Sequence, residues 1–374
     1  MARGRSRFAW VLLATTAAPA FAAKGLTVDQ FDRLLAAERG KSASKAARQI
    51  ASVELSERAT SANLAQWESE FPGARNALIA IADASRFLPA SAADKLNDPA
   101  PGFDTQKRMV SMAVDYVNRT MPNLPDFFAT RETLHFVDVP TRKTIKRATE
   151  LQGIGHAGFH PYGYSGPSLQ SSISEPLHFI GRSTLVVTYR DGREVRDARN
   201  PAREKAQASA GLTTTGEFGP ILSVVLGDAL HGQLQWGYWE ASATPAAVFR
   251  YSVPQQESHY IVVVPNGPQT TTLNSAYHGE IALDPATGEI LRMVLISDLP
   301  APYQQVQTAM MVEYAPVAIG DATYMCPVKG VAVSRIPVSG AAADRKQPAI
   351  MQTQLNDVSF THYHLFRSET KILP

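Results

Sequence analysis

The chain has 374 residues, 19% of them charged, and 36 lysines and arginines against 34 acids give a formal net charge of only +2. So small a surplus argues against electrostatic nucleic-acid binding, which needs a concentrated basic surface. The single cysteine, Cys326, excludes an intramolecular disulfide, so stability has to come from burial.

In chain order, the first element reads as an export signal. Arg3, Arg5 and Arg7 form a positive start, residues 8–18 are an apolar core too short to span a bilayer, and Ala20-Phe21-Ala22 supplies small residues around a cleavage site after Ala22. A cut after Ala18-Pro19-Ala20 is the alternative. The predicted mature start carries no cysteine for acylation, and nothing downstream is long enough to be transmembrane, so a periplasmic or secreted, unanchored protein is expected. Loss of three arginines with the signal lowers the net charge from +2 to −1.

From 24 to 120 the pattern is helical. Thr27 and Gln30 form a capping box, Phe31, Leu34 and Leu35 share a face, and Gly40 is placed to end the first helix in a left-handed turn. Ile50, Val53 and Leu55 continue an apolar stripe. Leu55, Ala59, Ala62 and Trp67 recur at helical spacing up to Pro72-Gly73, and an Ala-rich helix over 74–88 stops at Pro89. Asp104 suits an N-cap for the clearest helix, which puts Met109, Met112, Ala113, Tyr116 and Val117 on one face. Four or five helices forming one module are predicted here.

The period changes to two from Arg131. Leu134 and Phe136 alternate. Leu185, Val187 and Tyr189 lead into Asp191-Gly192, whose two residues suit a hairpin turn with positive φ at both, and Glu194-Val195-Arg196 returns. Further strands are predicted at Leu234-Trp236-Tyr238, Phe249-Tyr251-Val253, 259–264, 277–283, 289–296, 306–314, 324–333 and 355–366. A helix over 215–229, through Ile221, Leu222, Val225 and Leu226 and closed by His231-Gly232, interrupts them. Gly-, Ser- and Pro-rich stretches at 153–174 and 338–348 read as long loops. The fold class expected is α+β: a signal over 1–22, a helical module over 24–120, and a curved antiparallel sheet of eight or more strands over 124–374 with a crossing helix.

Several stretches of the second region carry a resemblance. They are residues 124–133 (LPDFFATRET), 187–194 (VTYRDGRE), 216–219 (GEFG), 248–253 (VFRYSV), 279–290 (GEIALDPATGEI) and 360–366 (FTHYHLF). On these, the region from 124 to 374 resembles a recurring class of exported bacterial proteins of unknown function, in which the helical start looks like an extension seen in a subset. The strand order with its crossing helix looks, by analogy of architecture, like the half-barrel of the LolA, LolB and RseB carriers and sensors. That resemblance implies an apolar concave face holding acyl chains or a lipidated peptide.

Chemistry-bearing residues are few. His362 and His364, two apart on a predicted strand, share a face with Val358, Phe360 and Phe366, and His156 and His160 sit in a glycine-rich stretch. No HExxH frames them, so packed histidines are expected rather than a metal site. Gly163-Tyr164-Ser165-Gly166 lacks the second spacer of a nucleophile elbow, and Ser42-Ala43-Ser44-Lys45 lacks the companion motifs of Ser-x-x-Lys enzymes. Glu217, Glu240, Glu257 and Glu280 lie in the β region without an inferable pairing. Asp284-Pro285-Ala286-Thr287-Gly288 reads as a hairpin turn, and Cys326 as a buried, inert thiol. The aromatic set is the expected ligand contact: Trp236 and Tyr238 on one face, Trp239 on the other, and Phe249 with Tyr251 matching on the next strand. With Trp236, Tyr238, Phe249, Tyr251, His362 and His364 as candidate contacts, the sequence points to a binder or carrier of an apolar or lipidated ligand with no cofactor. An envelope protein-interaction module and a hydrolase are the alternatives.

Overall fold

The computed structural model describes residues 25–138, 176–195, 220–242, 244–266, 269–337 and 351–366. The predicted export signal, His156, His160, Ser165, Glu217, the expected helix start at 215–219 and the two stretches read as long loops lie outside them. An antiparallel sheet of ten strands, alongside a few helices, makes this an α+β fold.

The capping box forms as the sequence expects. Thr27 accepts from Gln30 N and Gln30 returns a bond to the Thr27 backbone, opening α1 (Val28–Glu38). Gly40 takes φ +85° just beyond it. The stripe through Leu55 is not helical. After α2 (Ala43–Ala51), Leu55 bridges Leu26 in parallel, and the next helix, α3 (Ser61–Glu70), starts at its own capping box on Thr60 and Asn63. Between the end of α2 and the Thr60 cap the chain is non-helical, although Leu55, Ala59 and Trp67 are all buried in the same core. Helix α4 (Arg75–Ala84) follows and tightens over 85–87. In α5 (Phe103–Thr120), Asp104 lies inside the first turn and the Gly102 carbonyl takes the first bonds, from Thr105 N and Gln106 N.

The sheet runs β3 (Arg193–Val195), β2 (His178–Arg190), β1 (Phe127–Val137), β12 (Met351–Leu365), β11 (Ala322–Pro337), β10 (Gln307–Ile319), β9 (Ile290–Asp298), β8 (Ala276–Leu283), β5 (Ala246–Val253) and β4 (Gln233–Glu240). Its two ends do not pair with each other, so it stays an open sheet. Asp191 and Gly192, at φ 51° and 75°, make the β2–β3 turn that the sequence indicates. A separate hairpin, β6 (Ile261–Asn266) with β7 (Gln269–Asn274), stands off the sheet; β7 had no sequence signal of its own.

Alternation along the strands sends side chains to both faces, and the helices divide between those faces. Helices α1–α4 pack with Val294, Met311, Val331, Val333 and Leu355. Helix α5 and α6 (Pro220–His231) pack on the opposite side, with Met293, Leu295, Val312, Phe249 and Tyr251. The chain passes from one helical layer to the other around the β4 edge, where Leu96 N bonds Trp239 O at 2.9 Å and Ala241 N bonds Asp94 O at 2.8 Å. Asp228 pins α6 to the sheet by accepting from Tyr277 Oη at 2.8 Å and from His259 N at 2.8 Å. The result is three layers, helix on sheet on helix, with an apolar core on each side of the sheet.

Candidate functional site

On the face under α1–α4, the alternating positions of the central strands are charged where a core would be apolar. Arg250 of β5, Glu280 of β8 and Arg292 of β9 point here, as does Glu240 at the end of β4. Arg58 comes down from the α2–α3 connection, fixed by its backbone bond to Pro89 O at 2.8 Å. Its side chain is 2% exposed and bridges the two glutamates, through Glu240 and, at 3.4 Å, Glu280. Arg292 Nη1 meets Glu240 Oε1 at 2.7 Å, and Arg250 Nε meets Glu280 Oε1 at 3.3 Å. Tyr238 donates to Glu280 Oε2 at 2.9 Å, and burial pushes its phenol up to about 12. Three guanidiniums thus share two carboxylates.

A second group adjoins it, since Glu313 of β10 is the register partner of Arg292. Arg86 holds Glu313 at 3.1 Å and Asp83 at 3.4 Å, while Lys329 of β11 reaches Asp83 at 3.1 Å and Asp357 of β12 at 2.6 Å. Asp83 is fully buried. Burial, aided by the Asp83 charge, pushes the Asp357 carboxyl up to about 6 even with Lys329 beside it. Burial works to lower Lys329, but Asp83 and Asp357 outweigh it and hold the ammonium above its usual range. For Glu313, Arg86 and the Ser61 hydroxyl outweigh burial and keep the carboxylate below its usual range. Ten charged side chains are therefore gathered between helical layer and sheet, some paired across the two layers and others within one, and for the buried ones desolvation is offset only by close geometry.

Over the first group opens a cleft of about 520 Å³. Phe87, Leu88 and Pro89 wall it from the helical side, Val294 and Ile296 form its floor, and Leu299 and Val306 close one end. Arg58, Arg86, Arg250 and Glu280 line the other parts, together with His278 and Asp298, which pair at 2.7 Å. The exposed lining is mostly apolar, and the volume lies in the range of small-molecule sites.

Of the predicted contacts, Trp236, Phe249 and Tyr251 come together on the α5–α6 side, with the Trp236 and Phe249 rings 5.4 Å apart, while Tyr238 and the two histidines lie elsewhere. Register shifts between Trp236 and Tyr238, so Trp236 opposes Phe249 whereas Tyr238 opposes Val248. The bulge lies at Gly237, where a Cβ would sit 2.9 Å from Val248 O. Trp236 thus shares a face with Trp239, at a ring separation of 4.9 Å, and Tyr238 turns to the charged face, correcting the expected pairing. Phe249 and Tyr251, 3% and 1% exposed, are filled in beneath α6 as core. Tyr251 Oη also donates to Val294 O at 2.6 Å, across a gap that Gly279 keeps open.

His362 and His364 are both exposed, not packed. A bulge opposite Ala129, with His362 at φ 52°, lets Tyr363 instead continue the buried stripe of Val358 and Phe360. Among the described residues no group of three or more metal-ligating side chains forms. Cys326 is buried as expected, its thiol pushed up by burial to about 12. Glu240 and Glu280 do converge, though with Arg58 between them, while Glu257 stands apart on an exposed turn.

The residues that sequence reasoning missed are Arg58, Arg86, Arg250, Arg292 and Lys329. A usable signal was present: Arg250, Arg292 and Lys329 each interrupt an otherwise apolar strand at a core-facing step. No family model, curated protein or solved structure matches this chain.

Proposed function

We propose that this protein is an exported binder or carrier that holds an apolar ligand in the cleft between the α1–α4 layer and the sheet. The observation that carries this reading is a cleft of about 520 Å³ whose lining is mostly apolar, floor included, and is bordered by fixed charged side chains. Preformed concavities of this size, with a few placed polar groups, are the usual form of small-molecule sites. Affinity would come from burying hydrocarbon, at about 0.8 kcal/mol per methylene. The export signal and the resemblance to exported bacterial proteins support a periplasmic or secreted location. The position of the cleft differs from a half-barrel carrier, because the face beneath α6 is occupied by its own side chains.

The test is mass spectrometry of organic extracts from protein purified out of the envelope fraction, run beside Ile296→Trp, which fills the cleft floor. A stoichiometric apolar compound in the native protein that is lost in the variant is expected. Extracts empty in both, with no binding of dodecanol in calorimetry, would overturn the reading. A hydrolase is the second reading, favoured by His278, Asp298 and Glu280 around one cleft. Ester turnover by the native protein that disappears in His278→Gln would establish it. The apolar stripe of α5, which a protein-interaction module could have offered, is buried against the sheet.

A further inference from the structure

Resting on that reading, we propose that the ligand is an amphipathic anion, with one carboxylate or phosphate head seated at Arg250 and Arg58 and its hydrocarbon lying along Leu88, Val294, Ile296 and Leu299. The charges facing the cleft are unbalanced. Among the described residues, Arg58, Arg250 and Arg292 have only Glu240 and Glu280 within ion-pair distance, which leaves one positive charge in a group where Arg58 and Arg292 are buried and Arg250 opens onto the cleft; Glu313 answers Arg292 only from farther off. The adjoining group has the opposite surplus, but its acids Asp83, Glu313 and Asp357 do not line the cleft. Of the acids that do, Glu280 is already engaged by Arg58, Arg250 and Tyr238, and Asp298 faces His278.

Arg250 is the guanidinium poised for a head group. Among the described residues only its Nε is committed, to Glu280, and its Cζ stands 5.8 Å from the centre of the Tyr238 ring. At 38% side-chain exposure it is the most open of the cleft arginines, so it can present its two terminal nitrogens as a fork to two oxygens. Arg292, buried behind it, keeps Nε and Nη2 without a hydrogen-bond partner among the described residues. That deficit adds to the positive field at this end of the cleft. A neutral apolar molecule would leave the field unanswered, and an anion placed at Arg250 would neutralise it. Apolar walls at one end and surplus guanidinium at the other therefore select for a single-headed amphiphile over a fully apolar one.

Calorimetry on the mature protein with dodecanoate, dodecyl phosphate and dodecanol tests this, since the three share one tail. Both anions, or one of them, should bind roughly tenfold to a hundredfold more tightly than the alcohol, the gain from charge-assisted hydrogen bonds in a partly desolvated site. Arg250→Met should erase the advantage, bringing the anions to the affinity of the alcohol measured on the same variant, with circular dichroism confirming the fold. Which anion gains more assigns the head as carboxylate or phosphate. Equal binding of anions and alcohol, or an anion preference that survives Arg250→Met, would refute the inference while sparing the apolar-ligand reading. If none of the three binds, both fall.

Discussion

Removing Glu240 should cost more stability than removing Arg58, although Arg58 is the larger and more deeply buried partner. If Arg58 becomes Met, each glutamate retains another guanidinium: Glu240 keeps Arg292 at 2.7 Å and Glu280 keeps Arg250 at 3.3 Å. The group then holds two of each sign, and the methionine fills part of the vacated volume. If Glu240 becomes Gln, three guanidiniums share one carboxylate, and Arg292 is left with Glu280 at 3.9 Å as its nearest acid. Stripping one partner from a buried pair costs about 3–5 kcal/mol, which is the loss expected for Glu240→Gln. For Arg58→Met a loss of about 1–3 kcal/mol is expected, because no charge is left unanswered. Urea denaturation followed by far-ultraviolet circular dichroism measures both, with an unchanged m value showing that the unfolding transition is the same one. An Arg58→Met loss equal to or larger than that of Glu240→Gln would refute the charge-balance argument.

Two further outcomes can be measured in the same way. Asp357 carries a carboxyl raised to about 6 when folded, so the native state holds its proton more tightly than the unfolded chain. Its stabilising contribution is complete below about pH 4 and is lost as pH rises through about 6, which amounts to about 3 kcal/mol. The stability of the native protein relative to Asp357→Asn should fall by about that amount between pH 4 and pH 7, and a flat difference would show that Asp357 does not titrate in this window. Gly288 and Gly40 have similar positive φ, 79° and 85°, yet a Cβ at Gly288 would lie 2.5 Å from the backbone of Met112 while one at Gly40 meets nothing. Gly40→Ala should cost about 1 kcal/mol and Gly288→Ala about 2–4 kcal/mol, because only the second also pushes the turn off α5; equal losses would show that the contact can relax.

Local chemistry was the most legible part of the fold. The Thr27 capping box, the Asp191-Gly192 turn and the Asp284 to Gly288 turn are each decided by a few adjacent residues, and each forms. Asp284 Oδ1 accepts from Ala286 N and Thr287 N, as turn chemistry requires. What periodicity could not show was which face a side chain reaches after a bulge. One extra residue at Gly237 sends Tyr238 to the charged face, and the bulge beside His362 exposes two histidines that alternation had placed inside. Leu55 and Ala59 sit at helical spacing and are buried, but the Thr60 cap claims the chain locally and a bridge to Leu26 satisfies it elsewhere. The candidate site was largely hidden because it is assembled across the sequence, from Arg58, Arg250, Glu280 and Arg292. Reading the mid-strand arginines as partners for one another, instead of as surface charge, would have come nearest.

The place of β12 in the sheet has a bearing on how the molecule is completed. Strand β1 pairs with β12, from Phe127 opposite Leu365 to Val137 opposite Gln354, and among the described strands β12 alone joins β1 to β11. Without it the sheet is two pieces, β3-β2-β1 and β11 through β4. A chain made from its amino terminus therefore carries two unmated edges until residues 351–365 arrive, and closing a loop of that length is entropically slow. Strand β12 acts as a keystone, so loss of residues 351–365 would release two sticky half-sheets instead of a slightly shortened sheet.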